Sequence, residues 1–288
     1  MKFAVLAAVF WVMVSGMPAV AQDSDQAIAE AAAILLDNPK DAMKVIEPEA
    51  RKGTAAAQFY LGLVYRDGIG RAADARLAKD WLGKAEEQGH GGAAVALADM
   101  ALKAGVAEEA DAYLEKAMAA GEAQGFALKA ALLEPSDPGT AAAFFGVALG
   151  LGDAESGLRL ADIYLKEGSP LADPELARAA LSQTAGLGSV KALGRLGMLY
   201  RDGTGATEDP VAAFTLLQEA VSLGDPEAAK ALGEMMVAED AGYWRNPALG
   251  YAYCLWAIRS LEDESCDALK GLITVDDAKA GAEMAKGF

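Results

Sequence analysis

Apolar residues recur along most of this chain at intervals of three and four positions, which is the spacing of one face of an α-helix. In residues 54–89 they form two successive runs: Ala57, Leu61, Val64 and Tyr65, then Ala78, Trp81, Leu82 and Ala85. Asp67-Gly68 predicts the end of the first run, because glycine adopts the left-handed conformation of a helix C-terminus without Cβ strain. Asp74 predicts the N-cap of the second run. The segment is therefore predicted to form two helices joined by a loop.

The two-helix pattern returns with a period of about 36 residues. Three Asp-Pro pairs, at the predicted starts of second helices, keep this spacing: Asp137-Pro138, Asp173-Pro174 and Asp209-Pro210. Glycines mark the predicted unit ends: Gly53, Gly89, Gly121, Gly152, Gly188 and Gly224. A fixed period of this length is typical of stacked units, in which each hairpin covers an apolar flank of the next. We therefore predict an all-α solenoid of antiparallel helix hairpins.

Small and large residues at fixed places refine the predicted packing. Gly62 lies on the apolar face of the first helix, where a side chain would hold the neighbouring helix away. Trp81 and its counterpart Leu216 are expected to fill the grooves between units.

The motif string also resembles a known family. It reads Ala57-x3-Leu61-Gly62-x2-Tyr65-x-Asp67-Gly68-x-Gly70, then Ala78-x2-Trp81-x3-Ala85-x3-Gly89-His90. This string is similar to the Sel-one-like repeat (SLR), a relative of the tetratricopeptide repeat. The resemblance covers roughly residues 24–265, with strong copies at 54–89 and 190–225 and a fair one at 154–189. It implies a right-handed superhelix that serves as a protein-interaction scaffold, without catalytic residues shared across the family.

The resemblance and the period together predict the organisation of the chain. Residues 22–53 are predicted to form a degenerate hairpin, residues 54–265 the repeats, and residues 266–288 C-terminal capping helices. In the last segment, Thr274 is expected to cap the final helix, with Asp277 three residues on.

The N-terminus has the pattern of a secretory signal. Lys2 precedes an apolar run, and Ala19-Val20-Ala21 matches an A-x-A cleavage site. The run is shorter than the roughly 20 residues that span a bilayer. We expect residues 1–21 to be removed and the mature chain, without stable membrane insertion, to be periplasmic or secreted in a Gram-negative bacterium.

The charge of the chain narrows the class of partner. The formal net charge is −17 and the pI is about 4.5. This charge argues against nucleic acid and anionic membrane surfaces as partners. Solvated acidic helix surfaces explain most of this charge.

The two cysteines, Cys254 and Cys266, have neither CxxC spacing nor partners for zinc. An even, closely spaced pair in an oxidising compartment predicts a disulfide. The alternative is two buried thiols.

Catalytic and cofactor chemistry has little support in the sequence. His90 is the single histidine and follows a predicted helix, which favours a role in the turn or the cap. No serine lies in a G-x-S-x-G context. Gly68-x-Gly70 and Gly203-x-Gly205 follow helices rather than strands, which excludes a phosphate-binding interpretation. We expect no metal or cofactor site and no catalytic residues.

Two places are candidates for partner binding. Arg66 and Arg201 occupy equivalent Arg-Asp-Gly turns, where pairing with neighbouring carboxylates is the competing interpretation. Tyr243, Trp244 and Arg245 lie in an insertion and are residue types enriched at interface hot spots. Packing of Trp244 under the terminal cap is the alternative there.

The function predicted from these patterns is a non-enzymatic periplasmic adaptor. SLR proteins of Gram-negative bacteria take part in exopolysaccharide secretion, in regulation of envelope sensor kinases and in other envelope assemblies, so the resemblance implies envelope proteins as partners. One alternative is a hydrolase or β-lactam-binding protein of the cysteine-rich repeat type, although those relatives carry a cysteine pair in most repeats. Another alternative is a glycan-binding module.

Overall fold

The structure, a computed structural model, describes residues 19–238, 245–261, 269 and 271–288. The chain divides into two compact units, Met1–Lys129 and Ala130–Phe288. The described residues form fifteen α-helices, a short 3₁₀ helix at the C-terminus and no β-strand.

The helices follow one another through short loops. The first unit contains α1 (Ala19–Ala33), α2 (Pro39–Lys52), α3 (Ala55–Asp67), α4 (Ala75–Glu86), α5 (Gly91–Lys103) and α6 (Ala107–Ala119). Helix α7 (Ala123–Leu133) includes the division between the units. The second unit contains α8 (Pro138–Gly150), α9 (Ala154–Leu165), α10 (Pro174–Gly186), α11 (Val190–Asp202), α12 (Pro210–Ser222), α13 (Pro226–Val237), α14 (Pro247–Leu261), α15 (Val275–Met284) and the 3₁₀ helix Ala285–Gly287.

Helix ends form where the sequence predicts them. The Asp74 carboxylate accepts from the backbone N–H groups of Arg76 and Leu77, both at 3.0 Å, and so caps α4. Gly68 ends α3 in the left-handed conformation, and its N–H donates to the carbonyl oxygen of Val64. At the start of α15, Thr274 and Asp277 form the predicted capping box.

Within each unit, consecutive helices pack against one another. The most extensive contacts join the two helices of a hairpin: α3 with α4, α5 with α6, α9 with α10, α11 with α12 and α13 with α14. The second helix of a hairpin then packs on the first helix of the next, as α4 does on α5 and α12 on α13. This arrangement confirms the all-α hairpin fold.

The core of each unit is shared between hairpins. One buried cluster joins Ile28, Ile46 and Leu61 from three successive helices, and Trp81 of α4 packs against it. An equivalent cluster on α9–α11 receives Leu216 of α12. The predicted placement of Trp81 and Leu216 between units is therefore confirmed, because each side chain covers the flank of the preceding hairpin.

Glycine on the first helix permits close approach of the second. A Cβ atom at Gly62 would lie 2.6 Å from Cγ of Leu82 and 3.1 Å from its backbone nitrogen. A Cβ atom at Gly197 would meet Cγ of Leu217 at 2.8 Å. The prediction that a side chain at Gly62 would separate the helices is confirmed.

The loop after the first helix rests on the preceding hairpin. A Cβ atom at Gly70 would lie 2.8 Å from Cβ of Pro39, the first residue of α2. A Cβ atom at Gly205 would overlap the carbonyl oxygen of Pro174, the first residue of α10. The second glycine of each Gly-x-Gly motif thus allows the loop to approach the preceding helix closely, against the ring of Pro39 in the first unit and against the backbone of α10 in the second.

The predicted signal sequence falls mainly on residues 1–18, which lie outside the described residues. Helix α1 contains the predicted cleavage position after Ala21. In the part of the chain that the structure describes, no helix has both the length and the apolar character needed to cross a bilayer.

Candidate functional site

Arg66 forms a bidentate ion pair with the next residue of the chain. Its Nε donates to Oδ1 of Asp67 at 2.7 Å, and Nη2 donates to Oδ2 at 2.8 Å. These hydrogen bonds raise the pKa of Arg66 and lower that of Asp67, and the charge of Asp99 on α5 acts in the same direction on Arg66. The guanidinium is therefore held at the end of α3.

Arg201 repeats this arrangement in the second unit. Its Nε donates to Oδ1 of Asp202 at 2.7 Å, and Nη1 donates to Oε2 of Glu234 on α13 at 3.1 Å. The hydrogen bond that Arg201 donates to Asp202 is the main reason that the pKa of Arg201 is raised. Pairing of both arginines with neighbouring carboxylates, the competing interpretation, is confirmed, and their binding of a partner stays a prediction.

Ion pairs also link the first helices of successive hairpins in the second unit. Three such pairs occur in order along the chain: Glu134 with Arg159, Asp162 with Arg195, and Arg201 with Glu234. We call the surface of α9, α11 and α13 that carries them the first-helix face. Sequence reasoning missed Arg159, Arg195 and Glu234. The sequence did contain a signal, because in two of these pairs the arginine and the carboxylate are 33 residues apart, which is close to the length of one repeat.

The other predicted interface residues are only partly described. Tyr243 and Trp244 lie outside the described residues. Arg245 is exposed and directly precedes Asn246, whose side chain accepts from the N–H of Leu249 at 3.1 Å at the start of α14. The structure therefore leaves this group of three as a prediction.

The predicted disulfide has one described member. Cys254 lies fully buried on α14, in a cluster with Val237, Tyr251 and Leu269. Cys266 lies outside the described residues, and the pairing stays a prediction.

His90 caps a helix, as the sequence predicts. Its Nδ1 accepts from the N–H of Ala93 at 3.2 Å at the start of α5. Its ring stacks on Phe59 with ring centres 4.5 Å apart. Burial lowers the pKa of His90, and the charge of Glu122 opposes that shift. The cap requires the neutral ring, because Nδ1 can accept this hydrogen bond only when it carries no proton.

We expect acid to weaken the fold through His90. Because folding lowers the pKa of His90, the unfolded chain takes up this proton first as the pH falls. The contribution of the neutral ring to the free energy of unfolding is therefore complete above the ordinary histidine pKa of about 6.5, and it is lost as the pH falls through the window below that value. Denaturant titrations of the wild-type protein between neutral and mildly acidic pH measure this loss. His90→Asn keeps a capping side chain that does not titrate. A pH dependence in this window that is unchanged in the variant would contradict the assignment.

The described residues contain no group of three or more histidine, cysteine and acidic side chains able to hold a metal ion. A cavity of about 390 Å³ opens beside α15, lined by Tyr251, Ile273, Thr274, Val275, Ala278, Lys279 and Ala282. Its lining is mainly apolar and includes no carboxylate, histidine or cysteine.

Comparison with known proteins identifies the repeat. The family model of the Sel1 repeat matches residues 55–90 and 190–225. These segments contain the complete hairpins α3–α4 and α11–α12. These two segments of the chain match the Sel1 repeat. The family resemblance drawn from the motif string is thereby confirmed.

Solved Sel1-type structures share the fold. A protective antigen present in uropathogenic Escherichia coli strains, which displays an SLR fold, superposes with a TM-score of 0.69 at 20% identity over 85% of this chain and 55% of the other. This chain thus spans about half the length of that antigen. A Sel1 repeat protein from Oxalobacter formigenes gives a TM-score of 0.60 at 21% identity over 80% of this chain and 96% of the other. No curated protein matches the sequence.

Sel1 repeat proteins generally act as scaffolds that mediate protein–protein interactions. In this chain the repeats stack as hairpins, and the apolar flank of each is covered by its neighbour within the unit.

Proposed function

We propose that this protein is a non-enzymatic scaffold that binds one or more envelope proteins in the periplasm of a Gram-negative bacterium. The observation that carries the proposal is the match of two complete hairpins to the Sel1 repeat, a unit that generally mediates protein–protein interactions. The signal pattern ending at Ala21 supports export. The SLR resemblance favours exopolysaccharide production or envelope signalling as the process, with a secretion component or a sensor kinase as the partner.

The first-helix face of the second unit is the contact surface that we propose. Arginine is enriched at interface hot spots. Arg201 is already oriented by Asp202 and Glu234, so binding a partner would cost little additional side-chain conformational entropy. Its partial exposure leaves it accessible to a carboxylate of a partner.

Cross-linking in the native cell tests this proposal. We expect the tagged full chain, purified from the periplasm after cross-linking, to begin at Gln22 and to carry a specific envelope protein. Arg201→Ala is expected to reduce the recovered partner by about tenfold, which corresponds to a hot-spot loss of about 1.4 kcal/mol. Trp244→Ala tests the second candidate place in the same way.

Arg76→Ala is the matched control, because Arg76 is an exposed arginine of the other unit. Thermal melting of all variants verifies that they remain folded. A chain recovered only from the cytoplasm, or cross-linking that yields no envelope protein, would overturn the proposal. Equal recovery with Arg201→Ala would remove the first-helix face as its contact surface.

A further inference from the structure

The last α-helix of the second unit is covered on one side only. Helix α15 packs on α14 just as α13 packs on α12, so it takes the place of the first helix of a further hairpin. Helix α13 is also covered by α14, and seven of its twelve residues are buried. In α15 only Gly281 is buried. A segment with so few buried residues opens at a lower free energy than the core of its unit.

Small residues of α15 face α14. A Cβ atom at Gly281 would lie 2.5 Å from the carbonyl oxygen of Ala248 and 3.1 Å from Cδ1 of Tyr251, so only glycine fits there. Ala278 packs against the buried cluster that includes Tyr251. The cavity of about 390 Å³ beside α15 is lined by Ala278 and Ala282 together with Tyr251. The alanines therefore leave apolar space beside Tyr251 that a larger side chain would occupy.

The ring of Phe288 lies on two aromatic side chains of α14. It stacks on Tyr253 with ring centres 5.3 Å apart, and its centre lies 6.3 Å from that of Trp256. Nη1 of Arg259 donates to the carbonyl oxygen of Ala285 at 2.8 Å, a favourable contact for a positive charge at a helix C-terminus. Phe288 is nevertheless 52% exposed. We call Tyr253, Trp256 and Arg259, which are spaced three residues apart on α14, the helix-end site.

The segment that lies on α14 in this structure shows which kind of helix the surface accepts. Residues 275–288, which we call the C-terminal cap, have a glycine at the closest approach to α14 and an aromatic residue just after the last turn. The cap of a second copy would compete poorly with the tethered one, whose effective concentration is on the order of millimolar. A partner helix with a larger apolar residue in place of Ala282 would gain contacts in the cavity that the cap does not make.

We propose that the C-terminal cap is displaceable and that the flank of α14 beneath it docks a helix of a partner protein. That helix carries a glycine at its closest approach to α14 and a large apolar residue directly after the glycine. An aromatic residue follows its last turn and binds Tyr253 and Trp256. The proposal rests on the scaffold function and names the class of partner segment that this flank accepts. It uses a different surface from the first-helix face.

A synthetic peptide tests this docking site. The probe has the sequence of residues 274–288 with Ala282→Leu, and the control has the same composition, with Gly281→Leu and Ala282→Gly. Fluorescence anisotropy of the labelled peptides measures their affinity for the full chain. We expect the probe to bind at least tenfold more tightly than the control, because the leucine of the control would meet the carbonyl oxygen of Ala248.

Phe288→Ala distinguishes docking from packing within the chain. In the chain, this substitution weakens the cap and is expected to tighten binding of the probe about tenfold, because the docking flank is then uncovered more often. In the probe, the same substitution removes the ring that contacts the helix-end site and is expected to weaken binding about tenfold. Met284→Ala in the chain is the matched control, because Met284 is 45% exposed on α15 and lies outside the cavity lining. Circular dichroism verifies that both variants remain folded.

Hydrogen exchange of the unmodified chain tests displacement of the cap without a substitution. We expect the protection factors of the backbone amides in α15 to be at least tenfold lower than those in α13. Equal protection of the two helices would overturn a displaceable cap.

The outcomes separate this proposal from the scaffold function. Equal binding of both peptides, no binding of either, or a probe affinity that Phe288→Ala leaves unchanged in the chain would overturn the docking site. Dimerisation of the chain alone, abolished by Phe288→Ala, would assign the flank to a second copy and so overturn a partner helix as its occupant. None of these results bears on the envelope partner recovered by cross-linking. Conversely, failure of cross-linking together with the expected peptide preferences would contradict the envelope partner and retain the docking site.

Discussion

We expect Gly205→Ala to lower the free energy of unfolding by about 3 kcal/mol. Gly205 has a φ of 74°, where a Cβ atom alone costs about 1–2 kcal/mol. A Cβ atom there would also overlap the carbonyl oxygen of Pro174 and lie 3.0 Å from the backbone nitrogen of Glu175. These contacts are with the backbone of α10, which has no rotamer through which to move aside.

Gly168→Ala is the control that separates the two causes. Gly168 has a φ of 72°, and a Cβ atom there would meet nothing within 4 Å. We expect this variant to lose only about 1 kcal/mol, the cost of the backbone conformation. Urea denaturation followed by far-UV circular dichroism measures both losses. Equal losses in the two variants would contradict a role for Gly205 in docking the loop on α10.

The hydrogen bonds around Gly205 explain which part of the fold the substitution would destabilise. Nε of Arg178 on α10 donates to the carbonyl oxygen of Gly205 at 3.1 Å. Nη1 of the same arginine donates to the hydroxyl of Tyr200 at 3.4 Å. The loop is therefore tied to the preceding hairpin through both its backbone and a side chain. Substitution of Gly205 is therefore expected to weaken the packing between two hairpins, and not only the structure of a single helix.

Much of the fold could be predicted from the sequence because its determinants are local. Asp74 and Gly68 define helix ends through hydrogen bonds within a few residues. The apolar spacing identifies the buried face, and the period shows that this face is covered by the next unit. The role of Gly62 could be predicted in the same way, because a glycine on the buried face indicates that the neighbouring helix approaches closely there.

The candidate surface could be predicted less well because its determinants are not local. Arg66 and Arg201 were recognised from their recurring turns, yet the Glu234 partner of Arg201 lies on the next first helix. Exposure of Phe288 depends on how much of its ring α14 covers, and an apolar residue in a predicted helical unit is ordinarily assigned to the core. Assembling such surfaces requires the packed helices.

Gly157 and Thr184 lie in contact, and this contact could not be predicted from either residue alone. Thr184 is fully buried on α10, and its Oγ1 donates to the carbonyl oxygen of Ala180 at 2.7 Å. The equivalent position in the neighbouring hairpins is alanine, at Ala148 and Ala220. A Cβ atom at Gly157 of α9 would overlap Oγ1 of Thr184. The larger residue on α10 is thus accommodated by the absence of a side chain on α9.

We expect Gly157→Ala to lower the free energy of unfolding by about 2–3 kcal/mol through overpacking. The added methyl group would also lie 2.8 Å from Cδ1 of Leu149, so the site has little room to adjust. Thr184→Ala removes the overlapping oxygen and restores the alanine found in the neighbouring hairpins. The double variant is therefore expected to be more stable than Gly157→Ala alone, with a coupling energy of at least about 1 kcal/mol. Urea denaturation of the four proteins in this cycle measures the coupling. Additive losses would show that the two side chains do not compete for the same space, and the hairpin would then have to tolerate the extra methyl group by another route.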